Sequence, residues 1–391
     1  MKRLHRLLLL TFLESFATIC VERGVYFFAR NRLGFPDAAN LALALVFGAG
    51  YVIGAISSQR MSSRLSEKKL LVGVLAGQFV VHAALAACYA PAALFVGVAA
   101  IGLLNGLKWP VIESYISAGR TPGETAKAVG RFNISWASSV PLALAAAGPI
   151  IHAWPAGLFL LPAAINLVAL ALIRPLASRP VHLPLDHPER LPAGQIAHYR
   201  ALLTSSRWTM LASYAALWVM AALMPRIFEQ LGRGVKVATA LSGLVDVMRL
   251  AAFVLLERLR SWHGRVSPLV VAIVGLPAGF FMVLFGTNLG VVLAGEVVFG
   301  LAAGMTYYAA LYYAMVIENA SVGAGGTHEG LIGLGFAVGP AAGLIGIALA
   351  PVLGGQVLGT LAGIGPLFII CAARALLSLG TRRHANAGPP G

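Results

Sequence analysis

Polar side chains interrupt a long apolar run in the first third of this sequence. Residues 102–117 have the sequence GLLNGLKWPVIESYIS and include four side chains suited to ligand contact: Asn105, Lys108, Trp109 and Glu113. Polar groups in a hydrocarbon environment are costly, so they usually face a bundle interior or a water-filled cavity. Lys108 and Glu113 are about 140° apart on a helix, so we do not expect them to pair with each other. This stretch is the first candidate for a substrate site.

A second polar stripe lies near the start of the chain. It consists of two threonines and two glutamates within an arc of roughly 80° on a helix, namely Thr11, Glu14, Thr18 and Glu22. Carboxyl groups on one buried stripe can bind a cation or carry a proton, because burial favours the neutral acid. Glu22 has an alternative as an interfacial ion pair with Arg23. Lys108 is expected to meet Glu14 or a substrate anion, and a purely structural pair is the alternative.

Two further charged pairs could have either a structural role or a role in ligand or proton binding. Arg131 could clamp an anion bidentately, or it could pair with Glu113 or Glu124 and close one end of a bundle. Asp246 and Arg249 are three residues apart and share a helix face, which favours a local ion pair. A proton site at Asp246 is the alternative.

Aromatic residues supply the remaining candidates. Tyr307, Tyr308 and Tyr312 could stack on a ligand or donate a hydrogen bond to it, although an interfacial belt is the alternative. Glu296 falls within about 20° of Tyr307 on the helical wheel. Trp136 and Trp218 would add aromatic walls. The predicted substrate set is Asn105, Lys108, Trp109, Arg131, Trp136, Trp218, Tyr307, Tyr308 and Tyr312, and the predicted coupling carboxyls are Glu14, Glu22, Glu113, Asp246 and Glu296.

No enzyme, metal or cofactor motif emerges from the sequence. The three cysteines lie in apolar segments without Cys/His ligand spacing, and neither GxSxG nor HExxH occurs. The glycine-rich stretch 323–330, GAGGTHEG, lacks the lysine and strand context of a phosphate loop. We interpret it as a flexible linker and expect no cofactor and no metal. Without an ATP-binding motif, transport energy would come from an ion gradient.

The composition indicates a membrane protein with many spans. Hydrophobic residues make up 59% of the 391 residues and charged residues only 11%, against about 25% charged residues in a soluble domain. The net charge of +15 comes from basic residues scattered among short loops. This is the distribution that the positive-inside rule predicts, and it does not indicate nucleic-acid binding.

Twelve apolar windows of spanning length form two groups of six around a polar connection, Arg174–Arg207. The windows are 7–28, 38–56, 70–89, 92–117, 128–151 and 156–173, and then 208–224, 237–256, 269–285, 291–316, 330–350 and 357–375. The expected fold is an all-α membrane protein with twelve transmembrane helices in two pseudo-symmetric six-helix bundles. The expected units are an N-terminal bundle at 1–176, a linker at 177–206 and a C-terminal bundle at 207–391.

An internal echo supports the division into halves. Gly102, Leu103 and Gly106 correspond to Gly300, Leu301 and Gly304 in the tenth window. Symmetric helices with polar interruptions point to the central site of a transporter. Basic residues concentrate in alternate connections, which places both termini and the central connection in the cytoplasm. The expected location is the plasma (inner) membrane, with the chain passing through it many times.

Two six-helix halves with basic connections resemble the major facilitator superfamily over essentially the whole chain. The family's Asp-Arg motif between helices two and three is similar to residues 54–69, GAISSQRMSSRLSEKK, where Gln59-Arg60 replaces Asp-Arg. A Gly-Pro pair similar to that of family exporters occurs at 148–149 and again at 339–340. The resemblance implies two halves that rock about a cavity lined by helices one, four, seven and ten.

The expected function is secondary active transport of a small organic solute by alternating access, coupled to a proton gradient. The basic and aromatic candidates suit an anionic or aromatic solute. The alternatives are an efflux antiporter for hydrophobic drugs or metabolites, and a non-transporting relative that acts as a sensor or assembly protein. The expected partners are the solute, protons and the lipid bilayer, and the expected state is a monomer.

Overall fold

The computed structural model describes residues 2–120, 122–181, 193–318 and 322–385. These ranges contain fourteen α-helices, one short 3₁₀ helix and no strand. The helices of the first half are α1 (Lys2–Glu22), α2 (Gly24–Leu33), α3 (Asp37–Leu65), α4 (Glu67–Ala87), α5 (Pro91–Ser117), α6 (Pro122–Ala153) and α7 (Gly157–Leu172). Those of the second half are α8 (Ala193–Gln230), α9 (Val235–Leu241), α10 (Leu244–Arg258), α11 (Ser267–Phe285), α12 (Leu289–Glu318), α13 (Val322–Leu353) and α14 (Gln356–Ala385).

These helices form twelve membrane segments, which we number S1 to S12. S1 combines α1 and α2, and S8 combines α9 and α10, while each other segment is one helix. Within the described residues, eleven segments are long and apolar enough to cross a membrane. S6 (Gly157–Leu172) is apolar but shorter, with 16 residues. The predicted all-α, two-bundle fold is confirmed.

Several helices extend beyond their predicted windows. S7 begins at Ala193, so residues 193–206 of the predicted linker are helical. S11 begins at Val322, and the predicted flexible linker 323–330 is its first two turns. An apolar window detects only the part of a helix that lies in hydrocarbon, whereas backbone hydrogen bonds can continue the helix into polar sequence. The predicted linker also includes residues 182–192, which lie outside the described residues.

The two halves repeat one packing pattern. S1 packs against S5 and S6, as S7 packs against S11 and S12. S2 packs along S4, as S8 packs along S10, and S3 contacts S4 as S9 contacts S10. Between the halves, S2 lies along S11 and S5 along S8. These contacts place a cavity at the centre of the molecule, between the two bundles.

The echoed glycines are the contact points of two equivalent helix pairs. A Cβ at Gly106 of S4 would lie 2.7 Å from the backbone nitrogen of Ala55 in S2. A Cβ at Gly304 of S10 would lie 2.6 Å from Cβ of Ala252 in S8. Both distances are too short for a side chain, so glycine is needed for the backbones to approach. The echo therefore marks helix packing within each half.

Candidate functional site

A cavity of about 90 Å³ lies between the two bundles. S1, S4, S7 and S10 all contribute to its wall, together with S2, S5, S8 and S11. Much of the wall is aromatic, with eight rings from both halves: Tyr51, Trp109, Phe132, Trp136, Tyr214, Trp218, Tyr307 and Phe336. Trp218 and Phe336 stack with ring centroids 3.5 Å apart. Trp136 meets Tyr307 edge-on, with the centroids 5.3 Å apart, so this contact joins the two halves.

A charged triad crosses the cavity wall from one half to the other. Arg23 of S1 forms an ion pair with Asp246 of S8. Arg249, one turn further along S8, donates to the second oxygen of Asp246 at 3.1 Å. All three side chains are buried. The local Asp246–Arg249 pair favoured from the sequence is present, and Arg23 pairs across the halves rather than with Glu22.

Breaks in S1 and S8 position this triad. Arg23 lies at the break in S1, between α1 and α2. S8 is interrupted between Leu241 and Leu244, where α9 ends and α10 begins. The C-terminus of one helix therefore lies next to the N-terminus of the other. The carbonyl oxygen of Ser242 accepts a hydrogen bond from Arg23 at 3.2 Å. Asp246 lies in the first turn of the following helix. A cation at a helix C-terminus and an anion at an N-terminus are both electrostatically favourable, so the break stabilises both charges.

Arg249 also holds aromatic residues from both halves. Its guanidinium carbon lies 5.1 Å from the ring centroid of Trp136 in S5 and 5.5 Å from that of Tyr214 in S7. The guanidinium also donates to the hydroxyl of Tyr214 at 3.0 Å. Planar arginine groups stack on aromatic faces in this way. The charged and aromatic parts of the site therefore form one unit.

Lys108 belongs to a separate polar network inside the first half. Its Nζ donates to Glu14 Oε2 at 2.8 Å, to Thr18 Oγ1 at 3.1 Å and to Gln78 Oε1 at 3.2 Å. Asn105 accepts from Gln78 at 2.7 Å. This network ties together S1, S3 and S4, and Lys108 and Glu14 are 1% and 0% exposed.

The network contains three of the predicted site residues. Asn105, Lys108 and Glu14 do not line the central cavity. The sequence marks them as buried and polar, but it does not say which neighbour they face. Lys108 does meet Glu14, which was one of the two partners expected for it. Its three acceptors satisfy the three ammonium hydrogens, so none is left for a substrate anion.

Three other predicted substrate residues also lie away from the cavity. Arg131 is exposed near the start of S5, beside Arg120 and Lys127. The Tyr308 hydroxyl donates to the carboxylate of Glu257. The Tyr312 ring stacks on His263, with the centroids 4.2 Å apart. The two tyrosines thus hold S10 against the end of S8 and the connection that follows it.

The predicted coupling carboxyls fall into different surroundings. Glu22 and Asp246 line the cavity. Glu113 is buried next to S11 at Gly325. Glu296 is fully buried beside the backbone of Val245 and has no well-formed hydrogen bond among the described residues.

Sequence reasoning missed several polar groups. Gln78, His82 and Asn166 interrupt apolar windows just as Asn105 does, so the same criterion could have found them. Asn166 donates to Glu14 at 3.1 Å and accepts from His82 across 2.9 Å. Glu329 lines the cavity, but it was missed because its glycine-rich surroundings suggested a linker.

The geometry gives no indication of a metal centre in the described part of the chain. No group of three or more histidine, cysteine, aspartate or glutamate side chains there could hold a metal ion.

Two pseudo-symmetric helical bundles with a charged, aromatic cavity between them define a membrane transporter of the two-bundle class. A family model described as the Major Facilitator Superfamily matches residues 7–344, and the chain belongs to this family. The resemblance stated from the sequence is confirmed, and membership identifies a transporter rather than an enzyme. No curated protein sequence gives a significant match.

Solved transporter structures share the fold at low sequence identity. A bacterial homologue of the human lysosomal transporter Spinster, inward-facing and unoccupied, aligns with a TM-score of 0.67 at 14% identity, covering 96% of each chain. The nucleoside transporter NupG aligns with a TM-score of 0.64 at 13% identity, covering 100% of each chain. The human organic anion transporter MFSD10 (TETRAN) aligns with a TM-score of 0.65 at 13% identity, covering 96% of this chain and 99% of its own. At such identities the similarity establishes the fold alone.

Proposed function

We propose that this protein is a secondary active transporter that carries a small organic solute with an aromatic ring through the central cavity. The two halves would expose the cavity alternately to the two sides of the membrane, driven by a proton gradient. The observation that carries this proposal is the triad of Arg23, Asp246 and Arg249. It joins the two halves at the wall of an aromatic cavity.

The aromatic lining supports a solute with a flat ring. Trp109, Trp136, Trp218 and Tyr307 offer ring faces and edges from both halves. Offset or edge-to-face contacts between aromatic rings contribute about 0.5–1.5 kcal/mol each beyond the burial of area. A ring held between the halves would contact both bundles at once, which is what a solute must do to bias their arrangement.

The triad supports a polar or charged group on the solute. Arg23 and Arg249 share one acid, Asp246, and Glu22 adds a second carboxyl to the cavity wall. A solute group that replaced one partner would weaken the bond between the halves. Breaking a buried ion pair by removing one partner costs about 3–5 kcal/mol, so substrate binding and separation of the halves would be linked.

The test is flux into proteoliposomes over a panel of nucleosides, organic anions, organic cations and neutral aromatic drugs, with and without an imposed pH gradient. We expect one class to accumulate only with the gradient. Trp218→Ala and Asp246→Asn should reduce accumulation at least tenfold. Val96→Ala, at a position 72% exposed on the outer surface of S4, is the matched control and should transport normally.

Two outcomes would contradict the proposal. Absence of flux for the whole panel, with a correctly folded protein, would favour the sensor or assembly role. Normal flux in Trp218→Ala and Asp246→Asn would mean that these cavity residues are not needed for transport.

An efflux antiporter for hydrophobic compounds is the second candidate, because most of the cavity wall is aromatic or aliphatic. That function would be identified if the hydrophobic drugs were the only compounds transported and moved in the direction opposite to the protons.

A further inference from the structure

Two carboxyl groups from opposite halves meet beside the central cavity. Glu113 belongs to S4 in the first half, and Glu329 belongs to S11 in the second. Their side chains lie within hydrogen-bonding reach of each other. They are only 4% and 5% exposed.

Close packing of S4 against S11 brings the two acids together. A Cβ built on Gly325 of S11 would lie 2.8 Å from Oε2 of Glu113 and 3.3 Å from Cα of Pro110. A larger residue at position 325 would therefore displace the Glu113 carboxyl and crowd Pro110. S11 also packs against S2 through Gly326, where a Cβ would lie 3.0 Å from Oγ of Ser58. The pair thus sits in a tight contact between the halves.

The hydrogen bonds around the pair are incomplete when both acids are ionised. Neither carboxyl oxygen of Glu113 has a donor among the described residues. Glu329 accepts a hydrogen bond from the Tyr51 hydroxyl of S2. A hydrogen bond between two carboxyl groups requires a proton on one of them. That proton would provide the missing donor and remove one of two like charges.

The described titratable groups around the pair include no basic partner. The groups that interact electrostatically with one or both acids include Tyr51 of S2, Glu22 of S1, Tyr214 of S7 and Tyr307 of S10. His328, next to Glu329, is buried against Tyr307, and neither of its ring nitrogens has a hydrogen-bond partner among the described residues. None of the ion pairs between described residues includes Glu113 or Glu329. The cations that share the cavity wall with Glu329 are Arg23 and Arg249, and both form their ion pairs with Asp246 instead.

We propose that Glu113 and Glu329 form a proton-binding site that joins the two halves while one proton is shared between them. This inference rests on the proposed transport function and names the residues that would link it to protons. Glu329 also lines the cavity, so the proton has a route to the solvent when the cavity opens. Loss of the proton leaves two adjacent carboxylates, and their repulsion separates S4 from S11.

The first experiment detects the shared proton directly on purified protein, without any substrate. Infrared difference spectra across a pH titration should show a carboxylic acid C=O band that disappears at high pH. Glu113→Gln and Glu329→Gln should each abolish this band, because the remaining acid then accepts a hydrogen bond from the amide. Glu296→Gln removes another buried acid and should leave the band in place.

The second experiment measures the spacing of the halves. Spin labels at Arg64→Cys on S2 and Thr204→Cys on S7, in a cysteine-free background, report their separation at the end of the molecule nearer the pair. In the otherwise unmodified protein, the separation should increase as the pH rises. Glu113→Gln and Glu329→Gln should lose this pH dependence and remain closed. Glu296→Gln should keep it.

The outcomes distinguish the proton site from the transport function. A band and a pH-dependent spacing that persist in both Glu113→Gln and Glu329→Gln would overturn the proton site, whatever the flux results. Loss of both signals in these variants, together with no flux in unmodified protein, would support the proton site and overturn the transport proposal.

Discussion

At the scale of single residues, the buried charges divide into two kinds of environment. Lys108 and Glu14 are enclosed within one half and are satisfied by neighbouring amide and hydroxyl groups. Arg23 and Asp246 connect two halves and face a cavity. The first pair would keep its partners when the halves move, whereas the second pair would have to exchange them. Under the proposed function, the second pair is the one that would respond directly to a solute.

The enclosed pair predicts a specific pattern of stability. Lys108→Met leaves the Glu14 carboxylate buried without its cation, which should cost about 3–5 kcal/mol. The double variant Glu14→Gln/Lys108→Met removes both charges and should recover most of that loss. Thermal unfolding of the four proteins in detergent measures the coupling between the two sites.

The exposed pair of Arg30 and Glu229, 2.7 Å apart, is the control. Glu229→Gln should cost about 1 kcal/mol or less, because exposed ion pairs contribute little. Strictly additive losses at Glu14 and Lys108 would mean that the two charges do not depend on each other.

At the scale of helices, glycines determine how closely the segments of each half approach. Gly106 and Gly304 occupy equivalent contacts, S4 on S2 and S10 on S8. Small residues allow helix backbones to pack closely where lipid provides no hydrophobic drive for association. The repeated glycines therefore explain why the two halves share one packing pattern despite different side chains.

Substituting these glycines should test that explanation. Gly106→Ala and Gly304→Ala each place a methyl group against the neighbouring helix and should destabilise the protein by about 1–3 kcal/mol. Gly73→Ala is the control, because nothing lies within 4 Å of a Cβ at that position. It should be neutral or stabilising by up to about 1 kcal/mol. Equal melting temperatures for Gly106→Ala and Gly73→Ala would contradict tight packing at the seam.

At the scale of the whole molecule, the distribution of basic residues predicts the orientation in the membrane. The connections after S2, S4 and S8, taken together with the adjoining helix ends, are basic, whereas the connections after S5, S9 and S11 carry no lysine or arginine. Cytoplasmic loops are enriched in lysine and arginine. The connection between S6 and S7 should therefore be cytoplasmic, and the connection between S5 and S6 should face the opposite side.

Single-cysteine labelling of intact cells tests this orientation. In a background without the native cysteines, Ala153→Cys, exposed at the end of S5, should react with an impermeant reagent from outside. Ser178→Cys, exposed after S6, should react only after the cells are permeabilised. The reverse pattern would invert the predicted topology.

The sequence alone determined the class of protein and the number of segments. Apolar windows have the length that a bilayer requires, and the echo at Gly102 and Gly300 revealed the repeat, because these properties are local or periodic. The family resemblance rested on the same features. Trp109, Trp136, Trp218 and Tyr307, which the sequence predicts as substrate residues, lie in the cavity wall.

Only the tertiary structure decided which polar groups share a site. Lys108 and Arg23 are both cations in apolar sequence, yet the first faces its own bundle and the second faces the other half. The direction of a side chain depends on the rotation of its helix against neighbours that are distant in the chain. Glu329 shows the same limit. The glycines that precede it in the sequence indicate a loop, but in the structure they pack against S2 and S4. The pairing of acids across two bundles depends on long-range packing, which no local pattern of residues records.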